Sequence, residues 1–199
     1  MAKYENIRAL AKKQLQTVTE SSDRWKEFLR TAAIAYNYSF PNQLLIYAQN
    51  PTATAVADMD YWNKNAGRRV KRGAHGTAVF DTRANSPRLR YLFDISDTIP
   101  IHEISEALPW AVTDQNWKPV WDKIIVDNYA DSIQSALLMI STSYVAQRSA
   151  MFTTALEKAV DGSSLQWAKP NEQRRLFLQI VTQSCLYMAA LRCLSLIHI

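Results

Sequence analysis

Glycine is scarce in this chain, with four among 199 residues. Each remaining glycine is therefore expected at a position that needs its conformational freedom. Cysteine is scarcer still, because Cys185 and Cys193 are the only two. Two thiols eight residues apart make no recognised metal motif and no disulfide framework, so we expect them to be reduced and unreactive.

Long apolar runs are also missing. The N-terminal residues lack the continuous apolar segment of a signal peptide, and no uninterrupted run of 18 apolar residues occurs. The sequence therefore predicts a cytoplasmic protein that does not engage a membrane.

The motifs of common enzyme classes are absent as well. There is no phosphate-binding P-loop, no dinucleotide-binding glycine motif and no nucleophile elbow. His102-Glu103 begins like a zinc-protease helix, but Glu106 stands where the second histidine ligand is required. We therefore predict that the chain is not an enzyme, and that it holds neither a metal nor another cofactor.

Positive charge is abundant in one segment. Residues 62–93 contain eight lysines and arginines and one acidic residue, a net charge of +7, whereas residues 101–199 are close to neutral, with eight basic and nine acidic residues. Such a concentration of one sign is an electrostatic footprint typical of nucleic-acid binding. The alternative is an ordinary solvated basic face.

The periodicity of apolar residues predicts an α+β fold, with N-terminal helices packed on a small antiparallel β-meander and an all-helical region after it. Two glycines in the connection Arg72–Gly76 favour a hairpin between the strands that flank it. The expected elements of the first part are helices at 2–19, 24–36, 41–49 and 59–65, and strands at 52–57, 68–71, 77–81 and 89–94, the first of these strands at a sheet edge.

The charge and composition change near residue 98, where we place a domain boundary. Residues 1–98 form the predicted binding domain, and residues 99–193 form a helical region of unknown role. Residues 194–199, LSLIHI, match the translation of a transposase end sequence used in sequencing adaptors, so we interpret them as an artefact.

The candidate binding residues lie in and before the basic segment. Lysine and arginine neutralise phosphates, and aromatic rings provide platforms on which bases stack. The expected phosphate contacts are Lys64, Arg68, Arg69, Lys71 and Arg72. Tyr47 and Trp62 are the expected stacking platforms, with Tyr61 close by, and Asn42 is a further candidate contact. Core packing is the alternative for both aromatic platforms, and helix capping is the alternative for Asn42.

Several short motifs resemble the N-terminal domain of ArdC-type antirestriction proteins. They are WKEFL at 25–29, the run from Asn37 through Gln49-Asn50-Pro51, Trp62, GRRVKRG at 67–73, Gly76 and FDISDT at 93–98. The resemblance is specific over about residues 20–98 and loose over 99–193. Within it, Ala74-His75 departs from the family pattern, which has Glu or Ser followed by Lys.

The resemblance implies a domain that binds single-stranded DNA, as found at the start of large polyvalent proteins of conjugative elements. In those proteins helicase-like and methyltransferase-like domains follow, and in ArdC a zinc metallopeptidase-like domain follows. We therefore expect sequence-tolerant binding of single-stranded DNA inside a DNA-processing or antirestriction protein of a mobile genetic element. The alternative is a protein-interaction module that docks a restriction or conjugation protein.

Overall fold

The computed structural model describes residues 2–84, 86–101, 112 and 116–193. The chain divides into two compact units, Met1–Ala111 and Val112–Ile199. The expectations about His102 to Glu106 and about residues 194–199 lie outside the described residues. The fold is α+β, as the sequence predicts, with helices and a small amount of antiparallel sheet in the first unit and helices in the described part of the second.

The first unit alternates helices with short strands. Its helices are α1 (Ala2–Val18), α2 (Ser22–Ile34), α3 (Phe40–Gln49) and α4 (Met59–Lys64). Its strands are β1 (Val56–Ala57), β2 (Arg68–Val70), β3 (Thr77–Phe80), β4 (Leu89–Asp94) and β5 (Thr98–Pro100), with a 3₁₀ turn at Ile95–Asp97 between the last two. Strand β5 carries this unit past the predicted boundary at residue 98.

Side-chain caps set the starts of two helices where the sequence predicts them. The Ser21 hydroxyl accepts a hydrogen bond from the Arg24 N–H at 3.3 Å, and the Asp58 carboxylate accepts one from the Tyr61 N–H at 2.9 Å. Each cap satisfies a backbone donor that has no partner within its helix. Gly67, at φ +59°, follows α4 in the left-handed conformation that ends many helices.

Strands β3 and β4 pair antiparallel as the predicted meander requires, whereas β2 pairs elsewhere. Two antiparallel sheets form within the described residues, one in the order β1-β4-β3 and the other made of β2 and β5. Strands β2 and β3 are thus not a hairpin, although each occupies nearly the predicted residues. Strand β1 does lie at a sheet edge, as expected, with Val56 opposite Asp94.

Both glycines of the Arg72–Gly76 connection have other roles. Gly73 adopts φ +84° within a turn in which the Ala74 N–H donates to the Lys71 carbonyl at 3.1 Å. A Cβ added to Gly76 would lie 2.9 Å from Cβ of Tyr91 and about as close to the Phe93 ring, on strand β4. This glycine is therefore required by close packing rather than by a hairpin turn.

Two amide side chains of α3 cover the open edge of β3. Asn42 accepts from the Phe80 N–H at 2.9 Å through Oδ1 and donates to the Phe80 carbonyl at 3.0 Å through Nδ2. Gln49 makes the same pair of bonds with Ala78, at 3.0 and 2.9 Å. The two amides therefore take the place of a neighbouring strand, which satisfies an edge that would otherwise be open to pairing.

Two groups of buried apolar side chains pack against the strands of the first unit. Leu45, Ile46, Val79 and Leu92 lie in the larger group, between α3 and the three-stranded sheet. Trp62 anchors the smaller group, against which Val70 of β2 packs. Because Trp62 of α4 and Val70 of β2 meet in this second group, it fixes β2 against α4. Along the chain, the two elements are joined by the short segment Asn65–Gly67.

The second unit contains four helices among its described residues. They are α5 (Trp117–Asp127), α6 (Ile133–Gln147), α7 (Ser149–Ala159) and α8 (Pro170–Cys193). Ile133 and Leu137 of α6 are buried against residues of α5 and α8, including Ile124 and Leu186. Helix α8 is long and apolar enough to cross a membrane by length and composition alone, which is weak evidence for a membrane span. The absence of membrane engagement therefore stays a prediction.

The amide pairing predicts a stability loss for Asn42→Ala. The Phe80 N–H and carbonyl would lose both partners in a place where Asn42 is 1% exposed. We expect the free energy of unfolding to fall by about 1–3 kcal/mol, measured by urea denaturation. The matched control is Asn63→Ala, at an exposed position of α4, which should change stability by less than about 0.5 kcal/mol. Equal effects of the two substitutions would contradict the structural role of Asn42.

Candidate nucleic-acid interface

The five predicted phosphate contacts span the end of α4, strand β2 and the turn after it. Along β2 the side chains alternate, so that Arg68 and Val70 are half-buried whereas Arg69 is exposed. Arg69 lies opposite Ile99 in the antiparallel register, and Ile99 is exposed as well. This face of the two-stranded sheet therefore presents a guanidinium group beside an apolar side chain.

Two of the five cations are held by the FDISDT segment. The Lys71 ammonium donates to the Ser96 carbonyl at 2.7 Å, and Nε of Arg68 donates to the Thr98 hydroxyl at 2.7 Å. The Thr98 hydroxyl in turn donates to the Ile95 carbonyl at 2.7 Å. The basic motif and the FDISDT motif, 20 or more residues apart in the chain, are thus two sides of one local structure.

Asp94 is the centre of that local structure. It is 3% exposed, and its carboxylate accepts from the backbone N–H groups of Thr54 at 2.7 Å, Ala55 at 3.0 Å and Ser96 at 3.0 Å. The Asp97 carboxylate accepts from the Asp94 N–H at 3.3 Å, which completes a capping box for the 3₁₀ turn. Hydrogen bonds to a charged acceptor are about twice as strong as those between neutral groups. The carboxylate therefore holds the turn that receives Lys71 and Arg68.

Arg69 and Arg72 are the most available of the five predicted phosphate contacts. Both are exposed, and neither side chain has an ion pair or hydrogen bond with another described residue. Lys64 is exposed too and lies 3.4 Å from Asp60 on the same helix. Because such surface pairs contribute little, Lys64 can exchange Asp60 for a phosphate at small cost.

Trp62 does not fit its predicted role as a stacking platform. It is fully buried, and its indole Nε1–H donates to the Phe93 carbonyl at 2.9 Å. An indole with both faces packed in the core has no room for a base. The alternative of core packing is the correct one for this residue.

Asn42 also belongs to the scaffold rather than to the predicted interface. The amide is buried and both of its polar atoms are bonded to Phe80. No hydrogen-bonding atom of the amide remains without a protein partner, and that partner is strand β3 rather than a helix end, so helix capping does not describe Asn42 either.

Tyr47 is half-buried between α3 and α2. Its ring meets the Phe28 ring at a tilt of 72°, with centroids 6.0 Å apart, and its hydroxyl donates to the Glu27 carboxylate at 3.0 Å. Burial, and after it the hydrogen bond to Glu27, raise the pKa of the Tyr47 hydroxyl above its ordinary value. A partly open ring remains, so the stacking role of Tyr47 stays a prediction.

A cavity of about 270 Å³ lies near the basic segment in the same unit. Tyr36, Tyr38, Tyr61, Asp58 and Arg90 are among its lining residues. Only Tyr61 among these is a candidate contact on the sequence pattern. The signal that points to the others is the density of tyrosine in AYNYS at 35–39 and of aromatics in DYW at 60–62.

Arg90 and Asp58 form a long ion pair in this cavity. Nη1 of Arg90 lies 3.7 Å from the Asp58 carboxylate, which is longer than a hydrogen bond, and Nη2 of Arg83 lies 3.9 Å from the same oxygen. The Arg90 guanidinium also lies over the Tyr38 ring, 5.3 Å from its centroid. Nε of Arg90 is buried and has no hydrogen-bond partner among the described residues. Arg90 therefore carries a buried donor that the surrounding described residues do not satisfy.

In the described part of the chain, no group of three or more histidine, cysteine, aspartate or glutamate side chains is placed to hold a metal ion. Cys185 and Cys193 are free thiols, and burial raises the pKa of both. A raised pKa reduces the thiolate fraction at neutral pH and with it the reactivity.

No protein-family model matches the chain, and comparison with curated proteins and with solved structures returned no match. The resemblance to the ArdC N-terminal domain therefore stays a prediction from the motifs.

The role of Asp94 predicts a large effect of Asp94→Ala. Three backbone N–H groups would lose a charged acceptor, and two of them belong to the chain before β1. We expect the free energy of unfolding to fall by about 3 kcal/mol in urea denaturation. Asp60→Ala is the control, because its carboxylate is 80% exposed. A loss no larger than that of the control would contradict the proposed centre.

The hydrogen bond from Tyr47 predicts a pKa change in Glu27→Gln. The Glu27 carboxylate favours the neutral phenol, so its removal should lower the pKa of Tyr47 toward the ordinary value near 10. The measurement is a ¹³C-tyrosine NMR titration, with Tyr38 as internal control because burial is the main cause of its raised pKa. An unchanged Tyr47 titration would show that the contact with Glu27 is not formed in solution.

Proposed function

We propose that this chain binds single-stranded DNA with little sequence preference, as part of a DNA-processing or antirestriction protein of a mobile genetic element. The supporting observation is the pair of exposed arginines, Arg69 and Arg72, that have no ionic partner among the described residues. A guanidinium group without a carboxylate nearby is available for a phosphate and requires no exchange of partners.

The neighbouring cations extend this positive surface. Lys64 precedes β2, and Lys71 keeps further ammonium donors after its bond to the Ser96 carbonyl. Arg68 is oriented by Thr98, so its guanidinium is held in place before a ligand arrives. Pre-ordered side chains lose less conformational entropy on binding, which favours affinity.

The preference for a single strand is supported by the motifs rather than by the charge. Phosphates are shared by all nucleic acids, and a basic strand alone does not distinguish them. The resemblance of GRRVKRG and FDISDT to the ArdC N-terminal domain supports single-stranded DNA, and the contacts between the two motifs explain why they occur together.

The proposal predicts weaker and less salt-dependent binding by Arg69→Ala/Arg72→Ala. For single strands the slope of log K against log salt is about 0.7 per neutralised phosphate, so the loss of two contacts should reduce the slope by about 1.4. Fluorescence anisotropy with a labelled oligonucleotide at several salt concentrations measures both quantities.

The charge-matched control is Lys12→Ala/Lys13→Ala, which removes two exposed charges from α1. This control should keep the wild-type slope. The same slope for both double variants, or no binding at low salt by the wild-type chain, would overturn the proposal.

A second candidate function is docking of a protein partner through α6. Leu138, Met139 and Ile140 of this helix are 49%, 50% and 38% exposed, which is unusual for three consecutive large apolar residues. A tight complex with a restriction or conjugation protein that resists high salt would favour this candidate over DNA binding.

A further inference from the structure

The cavity beside α4 has the composition of a site for a flat aromatic ligand. Tyr36 is 52% exposed and stands at the rim, while Tyr61 is half-buried and meets the Trp62 ring edge to face at 5.9 Å. The Tyr38 hydroxyl donates to the Val56 carbonyl at 3.0 Å, which fixes that ring as a wall. Aromatic rings provide stacking surface for any heteroaromatic ring.

The polar groups of the cavity match the edge of a nucleobase. Arg90 offers donors and Asp58 offers an acceptor, and the two are separated by 3.7 Å, too far for a direct hydrogen bond. A nucleobase carries donors and acceptors side by side along its edge, so one base can bond to both groups. The volume of about 270 Å³ suits a single base better than a larger ligand.

One lining residue of the cavity, Tyr61, directly precedes the basic segment in the chain. Tyr61 and Lys64 are three residues apart on α4, and side chains at that spacing lie on the same face of a helix. A strand with a phosphate on Lys64 would therefore run close to Tyr61, which lines the cavity.

We propose that the cavity lined by Tyr36, Tyr61, Asp58 and Arg90 receives one unstacked base of the bound strand. This inference rests on the proposed function, and it assigns the aromatic platform to the tyrosines of this cavity in place of Trp62. The arginines of β2 supply the sequence-independent phosphate contacts, and the cavity supplies the part of the affinity that depends on the base.

The test compares a base-bearing oligonucleotide of about 12 nucleotides with an abasic oligonucleotide of the same length. Wild-type chain, Tyr36→Ala and Tyr36→Phe are titrated at one low salt concentration, and circular dichroism checks that each is folded. Wild type should bind the base-bearing strand about tenfold more tightly than the abasic strand. Tyr36→Ala should lose this preference at unchanged affinity for the abasic strand, and Tyr36→Phe should retain it.

The outcomes separate this inference from the proposed function. Equal binding of the two strands by the wild type, or a preference that persists in Tyr36→Ala, overturns the base site and leaves phosphate binding intact. Absence of binding to either strand overturns the proposed function and the base site together.

Discussion

The hydrogen bonds of the Asp94 carboxylate hold together the part of the chain that carries the basic strand. It is a buried charge, and its cost of desolvation is offset by three backbone N–H groups that converge on it. Two of these donors bring the chain before β1 to the end of β4, and the third starts the 3₁₀ turn. The turn then offers its Ser96 carbonyl to Lys71 and the Thr98 hydroxyl to Arg68. A single side chain therefore links the larger sheet, the turn and the basic strand.

The motifs that mark this chain divide into scaffold and surface. Asn42 and Gln49 are two helical turns apart on α3 and bond to alternate residues of β3, so their amides replace a missing strand. Trp62 fills the core beneath β2 and bonds to the end of β4. Asn42, Gln49 and Trp62 thus belong to the scaffold that carries the exposed arginines.

Local features and the pairing of the consecutive strands β3 and β4 could be predicted from the sequence, whereas the partner of β2 could not. The caps at Ser21 and Asp58 and the positions of most strands follow from residues close together in the chain. The partner of β2 is three residues that end in Pro100, and so short a segment has no recognisable strand pattern. The glycines at 73 and 76 suggested a hairpin, because turn geometry and close packing both require glycine and the sequence does not distinguish them.

In the candidate site too, local properties could be predicted from the sequence and long-range contacts could not. Exposure of Arg69 follows from alternation along β2, which is a local property. Burial of Trp62, and the approach of Tyr36 to Arg90, result from contacts between segments that are distant in the chain. Residue types alone therefore did not reveal that Trp62 is a core residue.

The most direct test of this account is a ¹H–¹⁵N NMR titration of the full chain with unlabelled single-stranded oligonucleotide at low salt. The backbone amides of Arg69 and Arg72 and those of Asn37 and Tyr61 are predicted to shift together, since one strand contacts both the basic segment and the cavity. The amides of Ile133–Gln147 are predicted to stay unchanged. Shifts confined to the helical unit, or no shifts in the basic segment, would contradict the account.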